Sequence, residues 1–391
     1  MKRYIYVVCA ALFAARALAA TPSGTEERIR QVQQLVPPTL VSGEAPKLTP
    51  LADRMAELKV PGVSIAVIHD GRIEWARGFG VTRIGGPAVT PDTLFQAASI
   101  SKPVFALAVL HYVDAGRLTL DANVNDYLKT WKLPEDDLTR EQKVTLRRIL
   151  SHSAGLTVSG FPGYEAGAAV PTTTQILDGL PPANNPAVRV RVIPGTFYSY
   201  SGGGYTLAQL VLGDVTGIPL PRLMQEVVLA PLGMKHSTYE QPLPASRTGE
   251  VAMPYRAGGL PVGGGPHVYP EMAAAGLWTT PSDLARYGLG VHEALAGKSK
   301  VISAKTAREM LTPGLGRHGV GPMVGGSTER KFFTHGGSNA GYKCLILVYE
   351  DGEGAVIMTN SDKGELLGEI MRTVAHVYGW PDLGPGMKDP K

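Results

Sequence analysis

The segment Ser99-Ile100-Ser101-Lys102 sets a hydroxyl and an amine three positions apart. A serine hydroxyl is a poor nucleophile until a base takes its proton. A lysine held in a buried cleft has its charged form disfavoured, so its pKa falls and it can serve as that base. Residues 103–115 are apolar nearly all round, and Gly116 then offers a helix stop. That pattern predicts a buried helix with Pro103 in its first turn, where the missing N–H does no harm. Ser99 then stands at the helix start, with Lys102 about one turn along the same face. The helix N-terminus favours negative charge developing on the serine oxygen. A helix cap followed by a solvated lysine is the plain alternative.

Two more segments carry chemistry. Pro194-Gly195 signals a turn, and Tyr198-Ser-Tyr200-Ser-Gly202-Gly-Gly-Tyr205 follows it. A phenol can share a proton network with a serine and a lysine if nearby cations lower its pKa. A glycine-rich surface turn with packed tyrosines would look the same. The third segment, His335-Gly-Gly337-Ser338-Asn-Ala-Gly341, leads into an apolar stretch at 342–349. It also reads as a plain turn before a strand.

In order and spacing the three segments resemble the serine β-lactamase, D,D-peptidase and esterase superfamily, in its class C-like branch. The resemblance covers roughly residues 50–378, with Leu150-Ser-His-Ser-Ala-Gly-Leu156 and Thr280-Pro-Ser-Asp-Leu-Ala285 as flanking matches. It implies Ser99 as nucleophile, Lys102 as base, and Tyr200 as second acid or base. Tyr198 competes for that last role but lies two residues out of step with Gly204-Tyr205. It implies that His335 stands for the usual lysine, and that Gly337 lets substrate approach the backbone. The N–H of Ser338 would pair with that of Ser99 as an oxyanion hole. Losing one such donor typically costs about 100–1000-fold in rate.

Two positions depart from the family pattern. Gly202 stands where an asparagine would bond the acyl amide of a β-lactam or peptide. His335 weakens a fixed positive charge for a substrate carboxylate, since histidine is only partly protonated near neutral pH. If His335 contacts such a carboxylate, anionic substrates should bind less well as pH rises. Both departures favour hydrolysis of esters or small amides through an acyl-enzyme on Ser99. A D,D-peptidase, D-aminopeptidase or class C-like β-lactamase uses the same machinery on cell-wall peptides or β-lactams. A non-catalytic peptidoglycan-binding relative would need none of Ser99, Lys102 and Tyr200.

Other chemistries fit poorly. Gly314-Leu-Gly-Arg-His-Gly319 matches G-x-G-x-x-G, but no strand leads in and no helix leads out. No G-x-S-x-G nucleophile elbow occurs. The nine histidines form no H-x-H or H-x-x-x-H pair, so no metal site is expected. No cofactor is expected either. His152 reads as a structural hydrogen-bonding residue near the cleft. The formal charge is +4, and Lys2, Arg3 and Arg16 contribute three of these charges. No run of five like charges appears, so nucleic acid is not an expected partner. The expected partner is a small ester, amide or peptide.

The elements that must position these groups can also be read. Lys2 and Arg3, ten apolar residues at 4–13 and Ala17-Leu-Ala19 form a secretion signal, expected to leave after residue 19 or 20. That predicts a periplasmic or secreted bacterial protein with no lasting membrane anchor. Cys9 leaves with it, so Cys344 has no internal partner. A helix and linker follow at 21–47. Strand patterns at 63–69 and 72–79 flank Asp70-Gly71, a favoured two-residue hairpin turn. A second hairpin surrounds Asp351-Gly352, and a helix covers 365–378. The fold class is therefore α/β (α+β): an antiparallel sheet from both chain ends, flanked by helices. Residues 48–120 and 271–381 form this discontinuous domain. A mostly helical inserted domain occupies 121–270, rich in proline and glycine, and 382–391 form a tail. The glycine-rich stretch 258–266 reads as a lid over the cleft or as a surface loop.

Overall fold

The computed structural model describes residues 24–388. The expected leader at 1–20 and the last three residues of the tail lie outside them. Helix α1 (Gly24–Val32) and helix α2 (Leu51–Leu58) precede a six-stranded antiparallel sheet. Its strands are β1 (Gly62–His69), β2 (Arg72–Gly80), β3 (Met323–Gly326), β4 (Lys331–Asn339), β5 (Tyr342–Tyr349) and β6 (Gly354–Thr359). They lie in the order β2-β1-β6-β5-β4-β3, so both chain ends build one sheet, as the hairpin patterns predict.

The β1–β2 turn uses Asp70 and Gly71 at φ 51° and 68°, the doubly positive geometry of a tight hairpin. Strands β1 and β6 are buried on both faces, so they read as apolar runs without alternation. One face packs on α1, α2 and α6 (Glu365–Val377), with Ile65, Val67, Ile357, Leu366 and Ile370 in one buried cluster. The other face packs on α5 (Pro281–Leu295), and α3 (Ser101–Asp114) shares the larger cluster on that side. Helix α3 buries eleven of its fourteen residues, which explains its apolar character all round.

Residues 121–270 hold short helices, loops and one long helix, α4 (Gly202–Thr216). The Ser201 hydroxyl caps α4 by accepting the Gly204 N–H at 2.9 Å, and Gly217 closes it at φ 70°. Side chains of α4 share the larger cluster with those of α3 and α5. The linker and tail each contribute a short strand. Gly386–Lys388 pairs in parallel with Thr39–Val41, because both segments expose unpaired backbone that each can satisfy. Among the described residues no helix is long and apolar enough to cross a membrane.

Candidate active site

Ser99 lies in a 3₁₀ turn, Ala98–Ile100, that feeds directly into α3. Ala98 holds φ 48°, a conformation that costs a residue with a side chain about 1 kcal/mol or more. The surroundings hold the turn in place. Ala97 donates to Leu277 O at 2.8 Å, Leu277 donates to Ser101 Oγ at 3.0 Å, and Cys344 Sγ donates to Ala97 O at 2.9 Å.

Lys102 Nζ sits 3.0 Å from Ser99 Oγ and donates to Ala274 O at 2.8 Å. The residue is 2% exposed and no carboxylate pairs with it among the described residues. Burial alone pushes its pKa down to about 7. Lysine is thus an available base near neutral pH.

Tyr200 lines the cleft with Ser99 and presents its ring 5.0 Å from Lys102 Nζ. Its phenol departs from expectation. No cation lowers it; burial pushes it up to about 12, with Ser99 acting the other way. Tyr200 is therefore protonated at neutral pH. Tyr198 turns elsewhere: its hydroxyl meets His318 Nε2 at 3.1 Å, and its ring stacks on His318 at 5.1 Å. This leaves Tyr200 as the tyrosine of that segment that faces Lys102.

His335, Gly337 and Ser338 lie on β4, which faces the Ser99 turn. These three line one cleft of about 570 Å³ with Ser99 and Tyr200, within the usual size of a small-molecule site. Gly337 is required for a different reason from the one the resemblance implies. A Cβ there would stand 2.3 Å from Ala97 O and 2.2 Å from Cys344 Sγ. Its bareness lets the strand close on the Ser99 turn. Gly202 does not line the cleft. It is buried at the start of α4, and a Cβ would meet Phe161 Cε2 at 3.0 Å.

His335 corrects a second expectation. It is 5% exposed, and its Nδ1–H donates to Gly336 O at 2.7 Å. Burial first, then the Lys102 charge, pushes its pKa down to about 3. It is neutral across the physiological range and supplies no titrating cation for a carboxylate.

Two further histidines lie at the site, His318 in the cleft wall and His152 buried behind Tyr200. His152, read from sequence as structural, accepts the Ser201 N–H at Nδ1, 3.1 Å away. His318 was missed. It belongs to the glycine segment that fails as a dinucleotide motif, and it lines the same cleft. A 3₁₀ turn, Leu315–Arg317, carries it there, with Gly316 at φ 63° making room for the Tyr198 ring. Burial and the Lys102 charge push its pKa down to about 4. No local pattern marks His318; only the tertiary fold brings it in.

The stretch 258–266 forms a tight loop, with Arg256 donating to Leu260 O at 2.7 Å and Val262 to Pro254 O at 2.9 Å. It does not line the Ser99 cleft. Among the described residues one histidine–carboxylate group, His69, Asp70 and Glu353, has ligand atoms close together. It lies at the β1–β2 turn, away from Ser99, and His69 Nδ1 already bonds Glu353 at 2.8 Å.

Comparison with known proteins places the chain in a family. The family model described as Beta-lactamase matches residues 51–378. Esterase EstB of Burkholderia gladioli is 32% identical over 56% of this chain and 58% of its own length. Penicillin-binding protein 4 of Amycolatopsis lactamdurans is 29% identical over 46% of this chain and 45% of its own. The chain thus spans about half the length of these curated relatives. Among solved structures, the octameric penicillin-binding protein homologue from Pyrococcus abyssi superposes with TM-score 0.70 at 26% identity. It covers 84% of this chain and 76% of its own. The D-amino acid amidase from Ochrobactrum anthropi SV3 shares the fold, with TM-score 0.67 at 20% identity over 91% and 99% of the two chains. With the match running over residues 51–378, this chain belongs to the Beta-lactamase family.

Proposed function

We propose that this serine hydrolase forms an acyl-enzyme on Ser99 and hydrolyses esters or small amides. The observation that carries the reading is Lys102: buried, 3.0 Å from Ser99 Oγ, and drawn down to about 7 with no acidic partner. A neutral amine there takes the Ser99 proton as the oxygen bonds to the substrate carbonyl. The N–H groups of Ser99 and Ser338 receive the oxyanion. The proton held by Lys102 then returns to the leaving oxygen or nitrogen through Tyr200, which stays a phenol. Water, deprotonated by the same pair, attacks the acyl carbonyl and releases the acid.

Support for esters over β-lactams comes from Gly202: it offers no amide to bond an acyl amide, and Phe161 fills the space where a side chain would begin. The likeness to an esterase adds to this. We also propose export, resting on the leader pattern at 1–20.

The test is intact mass after brief incubation with an activated short-chain ester, with a penicillin in parallel. The expected result is turnover or an acyl adduct with the ester, lost in Ser99→Ala. Unchanged hydrolysis by Ser99→Ala would overturn the mechanism. A stable penicillin adduct would move the substrate class to cell-wall peptides.

A further inference from the structure

We propose that Lys343 is the cation that reads a carboxylate on the substrate. This deepens the reading above and rests on it. The family-pattern position for a cation is His335, and His335 is buried and neutral. On the adjoining strand, Lys343 is the register partner of Ser338, so their side chains leave the sheet on the same face. Lys343 Nζ donates to Ser338 Oγ. The side chain is half-buried, and among the described residues no carboxylate pairs with it; the nearby Lys363, by contrast, pairs with Glu365 at 3.5 Å. An ammonium without a counter-ion therefore sits against the residue whose N–H is assigned to the oxyanion.

Glycines at 336 and 364 leave room in the cleft wall beside Ser338. Ser99, Gly336, Ser338 and Gly364 line one cavity. A Cβ at Gly336 would meet nothing nearer than Cys344 O at 3.9 Å. At Gly364 the nearest atoms are Cγ and Cδ of Lys343 itself, at 4.0 Å. The lysine stem thus lies beside Gly364 and its head bonds Ser338, two residues that line the cavity. A substrate arm that leaves the scissile carbonyl over Gly336 would end beside Nζ. A carboxylate there gains a charge-assisted hydrogen bond that a neutral arm cannot make. The substrate class is an ester or small amide carrying a carboxylate on its acyl or its leaving portion.

Two matched pairs of esters test this. 3-Acetoxybenzoate against 3-acetoxybenzamide puts the charge on the leaving group. The phenyl half-ester of adipic acid against phenyl hexanoate puts it on the acyl group. In at least one pair the anionic ester should have the higher kcat/KM. Lys343→Met should reduce that anionic-to-neutral ratio about tenfold, and Lys343→Arg should restore most of it. In the unmodified enzyme about 0.5 M NaCl should narrow the ratio. The same ratio in Lys343→Met as in wild type, for both pairs, would overturn the proposal while neutral-ester turnover keeps the Ser99 reading intact. If Lys343→Met does not fold, a ratio indifferent to salt in wild type overturns it equally. Failure of wild type to turn over or be acylated by either neutral ester would instead sink the Ser99 reading, and this assignment with it.

Discussion

His152 brackets Tyr200. Its carbonyl accepts the Ser199 N–H at 2.7 Å, its Nδ1 accepts the Ser201 N–H at 3.1 Å, and its ring stacks on the Tyr200 ring at 4.1 Å. The residues on either side of the tyrosine are thus tied to one histidine, itself held at φ 57°. His152 touches no reacting atom in this arrangement; it positions the Tyr200 phenol in the cleft beside Ser99. His152→Ala should lower kcat about 10- to 100-fold with a smaller change in KM, since a misplaced group costs mainly the chemical step. It should also cost about 1–3 kcal/mol, because the Ser201 N–H loses a buried partner. His152→Asn should recover part of both, as asparagine offers an acceptor and tolerates positive φ. Steady-state kinetics and thermal unfolding of the two variants decide this. Equal kcat in wild type and His152→Ala would remove the positioning role.

The pH profile reports which group acts as base. Lys102, drawn down to about 7 by burial, must lose its proton before it can take one from Ser99. Activity should therefore be low in acid and rise as pH passes about 7. His335 and His318, pushed down to about 3 and about 4, are neutral over that whole range and should leave no mark on it. Hence kcat/KM for a neutral ester should show one acid limb near pH 7, and His335→Gln should not move it. A limb that vanished in His335→Gln would put the base elsewhere.

What the sequence made legible was the local chemistry and the elements with one strong pattern. The Ser99 and Lys102 spacing, the Asp70-Gly71 turn and the all-apolar α3 each declare themselves within a few residues, because turn geometry and helix burial are local demands. Protonation states were not legible. Whether Tyr200 is raised or His335 lowered depends on burial, and burial belongs to the assembled fold. His318 was hidden for the same reason: 120 residues separate it from Tyr198, its hydrogen-bond partner. The reason for Gly337 was hidden too, since Ala97 lies on a different element.

Lys102→Met separates function from stability. Removing the base should cut kcat on the order of 10²–10⁴-fold, the usual span for a positioned general base. The fold should gain. In the unfolded chain the lysine keeps its proton to about pH 10, whereas the folded value is about 7. The folded state therefore binds fewer protons between these values, and wild-type stability rises with pH across that window. Below about pH 7 both states are charged, and the full cost of burying the ammonium is present. Methionine removes that cost, so its advantage should reach about 1–4 kcal/mol at pH 6 and shrink toward pH 9. Denaturant melts at the two pH values test it; a variant less stable than wild type at pH 6 would contradict the buried-charge argument.

Gly336 and Gly337 are neighbours on β4 with opposite tolerance for a methyl group. At Gly337 a Cβ would fall 2.3 Å from Ala97 O and 2.2 Å from Cys344 Sγ, distances that force strand and Ser99 turn apart. At Gly336 the nearest atom is 3.9 Å away. Gly337→Ala should therefore cost about 1–3 kcal/mol through overpacking, and Gly336→Ala less than about 0.5 kcal/mol. The activity loss in Gly337→Ala should exceed what the unfolded fraction explains. Displacing β4 moves the Ser338 N–H away from the oxyanion, and a shift of about 1 Å in such a site can cost about 100-fold. Measuring kcat/KM well below the melting temperature isolates that loss. If Gly337→Ala keeps full activity there, the close approach of β4 to Ala97 has no bearing on catalysis.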